Sequence, residues 1–189
     1  LWVMGGPMDV WQESEYPWLV EEKAAIRKAV SELGMPYVGI CLGHQLLADA
    51  LGGEVGLGEH TEVGVMEIHK TDAGKSSSYL KKMPNKINCL QWHSAEVKHA
   101  PIGMDILSYS EKCSIQSLSS GSRALTMQYH QEITASAISD WSTIPTYNYF
   151  LGKSRGENFM NKLEQEVLKN ITNFNKTARQ LYTNWKSII

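Results

Sequence analysis

The sequence predicts an α/β fold with a mainly parallel sheet. Strand-like and helix-like stretches alternate along its front: LWVM, a helical run opening at Pro17, PYVGI, then LGHQLLADALGG. PYVGI is apolar on both faces, as befits a strand in the buried middle of a parallel sheet. The 189 residues suffice for one domain with a substantial core and are short for two.

Taken in order, LWVM reads as a buried strand cut off at its beginning, and GGPMDV as a turn. The expectation is one domain over residues 1–189, truncated at its N-terminus. Pro17 suits the first turn of a helix, where a missing N–H costs nothing. Leu19, Ile26, Ala29, Val30 and Leu33 share one face of that helix, Gly34 stops it and Pro36 lies beyond. Gly52 and Gly53 end the second helix. VGVMEIHK, KINCLQW, MDILSYS, KCSIQSL and RALTMQY have strand composition. TDAGKSSSYLKKMPN reads as a loop or short helix. From about 157 to 187 the apolar residues Phe159, Leu163, Val167, Ile171, Phe174, Ala178, Leu181 and Trp185 step by three and four. That pattern predicts one long helix, or two joined near Thr172 and Asn173, packed on the sheet.

Composition narrows the function. Eighteen basic residues nearly cancel twenty acidic ones, so nothing points to nucleic acid or an anionic membrane surface. No apolar run approaches the roughly 18 residues of a membrane span. Three cysteines without a CxxC pair exclude a disulfide framework or a structural zinc site as the organising principle, and predict a reducing, cytoplasmic setting. Neither GKS triplet, at 74–76 and 152–154, completes a phosphate-binding loop, because His69 and Tyr147 stand where that loop needs glycine. Asn170-Ile-Thr172 and Asn175-Lys-Thr177 match a glycosylation acceptor but fall within a helical pattern.

The chemistry concentrates in GICLGHQ, residues 39–45. A G-x-nucleophile-x-G turn between strand and helix lifts a strained nucleophile above the sheet. Cys41 takes that place, beyond the carboxyl end of a strand, where α/β sheets bind ligands. The glycines at 39 and 43 let strand and helix pass closely, and the helix N-terminus favours thiolate over thiol. A lone cysteine in an apolar stretch is more often a small buried hydrophobe, which is the reading for Cys89 and Cys113. A thiolate nucleophile needs a base, and the base an orienting group. His130 directly follows RALTMQY and Glu132 stands two residues on, giving a candidate triad of Cys41, His130 and Glu132. A bare H-x-E is ordinarily a solvated surface pair; the elbow gives this one its meaning. The N–H of Leu42 and the backbone of Gly6, in the GGP loop, are the candidate oxyanion donors. The same GGP could equally be a plain tight turn.

GGP, GICLGHQLLADALGG and QYHQE together resemble the class I (triad) glutamine amidotransferases, in particular their stand-alone, type 1 glutamine amidotransferase-like members. The resemblance runs over residues 1 to about 140, and more weakly through TARQLYTNW. It implies a flavodoxin-like three-layer sandwich whose first strand–helix unit is missing here. It also implies glutamine hydrolysis through a γ-glutamyl thioester on Cys41, with His130 as base then acid and Glu132 orienting it. Gln45 matches the family's glutamine-binding residue. QWHSAEV matches the segment that holds the substrate's α-amino and α-carboxylate groups, with Trp92, His93 and Ser94 as candidates. The family usually carries proline where this chain has Gln131, a change expected to loosen the His–Glu geometry. No cofactor or metal is implied. The sequence shows no ATP-binding module, so either a partner protein such as a synthetase supplies the ammonia acceptor or no transfer occurs. Two other readings stay open: a γ-glutamyl hydrolase or peptidase using the same triad, and a non-catalytic regulatory protein on the same fold.

Overall fold

The computed structural model describes residues 1–121, 123–145 and 158–189. Its strands are β1 (Trp2–Val3), β2 (Tyr37–Ile40), β3 (Glu54–Lys70), β4 (Lys86–His99), β5 (Asp105–Tyr109), β6 (Ser117–Ser120) and β7 (Ala124–Met127). They form one sheet in the order β1-β2-β7-β6-β5-β3-β4. The helices are α1 (Trp18–Arg27), which continues as a π turn over Lys28–Glu32, then α2 (Leu42–Ala50), α3 (Asp72–Ser76), α4 (Ala137–Ser142) and α5 (Phe159–Ile188).

The α/β class and the three-layer arrangement hold. Strand alternation sends Tyr37 and Ala124 to one face, where they pack with Leu19 and Ile26 of α1 and Leu46 and Leu47 of α2. Val38, Ile40, Leu125 and Met127 point to the other face, against Leu181 of α5. Burying each such aliphatic side chain is worth about 1.5–3 kcal/mol.

The sheet is mixed, however, and not mainly parallel. Only the β1–β2 and β2–β7 pairings are parallel; β3–β4, β3–β5, β5–β6 and β6–β7 are antiparallel. The links explain this. Residues 110–116 join β5 to β6, and the turn at Gly121, with φ of +51°, joins β6 to β7. Both are shorter than the dozen or more residues of a parallel crossover. The parallel part is the part that carries the cysteine turn.

Several elements differ from expectation in extent. KCSIQSL pairs only from Ser117, because Ser110 Oγ accepts the amides of Lys112 and Cys113 and holds the preceding segment as a turn. β3 and β4 are far longer than VGVMEIHK and KINCLQW, and a register shift between Leu57 and Glu62 absorbs the irregular start of β3. TDAGKSSSYLKKMPN contains α3 and a 3-10 turn over Ser78–Leu80. The first GKS lies within α3, where Gly74 packs against the Leu107 carbonyl. The second GKS and Glu157 fall outside the described residues. α5 runs unbroken through Thr172 and Asn173. Its Asn184 amide donates to the carbonyls of Tyr79 and Lys81, each at 2.8 Å. α4 has no counterpart in the sequence reading. Among the described residues no helix is long and apolar enough to cross a membrane.

Candidate active site

Cys41 sits between β2 and α2 with φ of 53° and ψ of −106°, a conformation that L-residues rarely adopt. Such a residue costs on the order of 1–3 kcal/mol and persists only where its surroundings enforce it. Here they do. The Cys41 amide donates to the Met127 carbonyl at 2.8 Å, and its own carbonyl receives the amides of His44 and Gln45. The glycines around it are steric necessities. A Cβ at Gly39 would meet the Gly43 carbonyl oxygen at 2.5 Å, and one at Gly43 the Val3 carbonyl oxygen at 2.1 Å. Tyr37 Oη also donates to the Gly43 carbonyl, at 2.8 Å.

His130 is held by backbone exchange with Leu90, its N–H donating to the Leu90 carbonyl and its carbonyl accepting from Leu90 N–H. Its Nδ1 lies 2.6 Å from Glu132 Oε1. Glu132 Oε2 accepts the backbone N–H of Gln131 at 2.9 Å. Proline could not make that bond, so the His–Glu geometry here gains a donor where a loosening was expected. Cys41 and the same imidazole adjoin, since a Cβ at Gly5 would lie 3.4 Å from His130 Cε1 and 3.8 Å from Cys41 Sγ. Burial works against a charged His130, but Glu132 and Cys41 outweigh it and raise its pKa to about 10. Burial likewise disfavours the Glu132 carboxylate, yet His130 and the Gln131 amide hold its pKa below the usual range. The arrangement places the Cys41 sulfur beside an imidazole whose Nδ1 is fixed by a carboxylate. His44, inside the GICLGHQ stretch, is no competitor as base. Its Nδ1 lies 2.8 Å from Thr126 Oγ1, and burial and then His93 depress its pKa to about 3.

Above Cys41 lies a cavity of about 250 Å³. It is lined by Met4, Gly5, Gly6 and Pro7, by Cys41, His130 and Glu132, and by Trp92, Trp141 and Ile144. The structure thus brings together Cys41, His130, Glu132, Gly6 and Trp92. Leu42 begins α2 and its side chain packs on Gly6, whose added Cβ would lie 2.9 Å from Leu42 Cδ2.

The remaining candidates have their side chains elsewhere. Gln45 is buried and its Nε2 donates to the Ala95 carbonyl at 3.1 Å and to Gln128 Oε1 at 2.9 Å. His93 points to Glu62 Oε2 (3.1 Å) and to the Ala95 carbonyl (3.0 Å). Ser94 meets Thr61 at the surface. This segment approaches the cysteine through the Trp92 carbonyl, 4.0 Å from Sγ.

Three residues here escaped the sequence reading. A Cβ at Gly5 would stand 3.3 Å from Cys41 Cβ and 3.4 Å from His130 Cε1, so Gly5, not Gly6, faces the cysteine–histidine pair. The doubled glycine held that signal without saying which member mattered. Trp141 and Glu62 gave none, since both act through distant partners. Among the described residues no group of three His, Cys, Asp or Glu side chains could hold a metal ion.

The family model for glutamine amidotransferase class-I matches residues 1–140, and the chain belongs to that family. It is 35% identical over 111 residues to a glutamine-hydrolyzing GMP synthase subunit from Thermococcus kodakarensis, covering 58% of this chain and 57% of that protein. The protein of the same name from Saccharolobus solfataricus is 31% identical over 130 residues, covering 68% and 64%. The chain therefore spans less than two thirds of the length of these relatives. Among solved structures, a glutamine amidotransferase from Thermotoga maritima superposes with a TM-score of 0.84 at 26% identity, over 97% of this chain and 77% of that one. Another, from Methylobacillus flagellatus, gives 0.74 at 25% identity, over 92% and 70%.

Proposed function

We propose that this chain hydrolyses the side-chain amide of glutamine and passes the ammonia to an acceptor on a partner synthetase. The observation that carries the reading is that Cys41, His130 and Glu132 line one cavity, with His130 Nδ1 2.6 Å from Glu132 Oε1. Cys41 thiolate attacks the amide carbon. The tetrahedral oxygen develops negative charge against the backbone N–H groups of Leu42 and the Gly5–Gly6 loop, aided by the N-terminal end of α2. His130 Nε2 gives its proton to the departing nitrogen, which leaves as ammonia, and a γ-glutamyl thioester remains on Cys41. Neutral His130 then takes a proton from water, the hydroxide displaces the thiolate, and glutamate leaves. Glu132 keeps Nδ1 protonated throughout. The α-amino and α-carboxylate groups of glutamine would be met by backbone of Trp92–Ser94. The relatives' names place glutamine hydrolysis within GMP synthesis, which supports a synthetase as partner.

Glutamate release from free glutamine, measured beside Cys41→Ala, tests the reading. Release abolished by the substitution is the expected result. Release that survives Cys41→Ala, or appears only with γ-glutamyl peptides, would overturn it.

A further inference from the structure

One wall of the cavity comes from a residue that no motif announces. Trp141 lies in α4, a helix that packs its Ala137 and Ile138 onto the cluster around Leu163, Val167 and Phe174. Its ring meets Trp92 edge-on, with centroids 5.3 Å apart at 81°, and His130 at 5.0 Å and 63°. It therefore touches two other residues of the cavity lining, one of them the His130 imidazole. The Met4–Pro7 loop lines the same cavity and carries no charged side chain. The cavity volume of about 250 Å³ falls below the roughly 300–1,000 Å³ of pockets that take drug-sized ligands.

We infer that Trp141 is a specificity-determining residue: it limits the space over Cys41 to an unsubstituted γ-amide, so that free glutamine enters and N-substituted γ-glutamyl compounds are turned away. This deepens the glutamine-hydrolysis reading and rests on it for the identity of the substrate. The size limit itself is a property of the cavity and can be read without turnover. Edge-to-face contacts with two rings hold the indole in one orientation, so the limit is set by packing. Shortening the side chain removes the wall and both ring contacts together. Phenylalanine keeps an aromatic wall.

The test is alkylation of Cys41 by iodoacetamide and by a bulky N-aryl iodoacetamide. It is run on the intact chain, on Trp141→Ala and on Trp141→Phe, with Cys41→Ala as the blank for Cys89 and Cys113. The intact chain should favour the small reagent. Trp141→Ala should raise the bulky-to-small rate ratio by about tenfold or more, the scale on which pocket contacts discriminate. Trp141→Phe should keep most of the original preference. An unchanged ratio in Trp141→Ala, or no preference in the intact chain, overturns the inference. Because alkylation needs no glutamine turnover, the two failures separate. A chain that releases no glutamate yet shows the ratio change loses the proposed function and keeps the size limit. A chain that releases glutamate with an unchanged ratio does the reverse.

Discussion

His93 Nε2 stands 3.1 Å from Glu62 Oε2, and both side chains are only 2% exposed. This pair lies within the sheet, one residue along β4 from the Trp92 carbonyl that faces Cys41. Ser110 donates to the other Glu62 oxygen at 2.8 Å, and Gln116 Nε2 to the same oxygen as His93 at 2.7 Å. Both ring nitrogens of His93 lie within hydrogen-bond distance of an oxygen, Nδ1 of the Ala95 carbonyl and Nε2 of Glu62. The Ala95 carbonyl, shared by His93 and Gln45, links this cluster to α2 one turn beyond the cysteine. The network thereby sets how β4 lies against the helix that presents Cys41.

Removing the Glu62 carboxylate takes the partner away from three buried side chains at once, His93, Ser110 and Gln116. Glu62→Ala is therefore expected to cost about 3–5 kcal/mol of unfolding free energy, measured by urea denaturation. Burial opposes the Glu62 carboxylate, but His93, Ser110 and Gln116 hold its pKa below the ordinary 4.5. A depressed carboxylate contributes stability that is present above its unfolded pKa and lost as pH falls through the folded one. Thermal melts taken from pH 6 to pH 3 should fall steeply in the intact chain and less steeply in Glu62→Gln.

His130 has the opposite sign. Its pKa is raised from 6.5 to about 10, so its contribution is complete below 6.5 and disappears as pH rises towards 10. Melts between pH 7 and pH 10.5 should show a loss of stability that His130→Asn lacks. In Glu132→Gln the imidazolium loses its charged partner, and glutamate release should drop by about 10²-fold or more, the scale of general acid–base catalysis.

Gly5 and Gly6 should separate on substitution. Alanine at Gly5 would put its Cβ 3.3 Å from Cys41 Cβ and 3.4 Å from His130 Cε1, tight enough to shift one of them by a few tenths of an ångström, and turnover should fall by roughly several-fold. Alanine at Gly6 meets the ends of the Met8 and Leu42 side chains, which can move. Comparing kcat for Gly5→Ala and Gly6→Ala decides it; equal losses would contradict the placement.

Gln131 buries its side-chain amide without a protein partner among the described residues, in an apolar groove with Val38, Leu125 and Leu181. Gln131→Leu should stabilise the chain by about 1–3 kcal/mol, the cost of an unsatisfied buried polar group, while keeping the backbone N–H that Glu132 accepts. Gln131→Pro removes that N–H and should reduce glutamate release relative to Gln131→Leu. Calorimetry and the glutamate assay read the two effects separately.

Local chemistry made much of this chain legible in sequence. Glycines flank Cys41 because backbone would otherwise collide, and that need is written in consecutive residues. Apolar steps of three and four told of α5 for the same reason: one face must be buried. The sheet's mixed order was not legible, since strand direction depends on which neighbour each strand finds and not on its own composition. The place of Gln45, His93 and Ser94 was equally hidden. Their side chains answer to Ala95, Glu62 and Thr61 across the fold, while the residues that enclose the cysteine, Gly5 and Trp141, are brought there from distant positions. The sequence by itself determined the turn, its cysteine and the histidine–glutamate spacing, because those are short-range steric and hydrogen-bonding requirements. Tertiary structure alone decided which groups face Cys41 and how large a molecule can reach it, because those follow from packing between segments far apart in the chain.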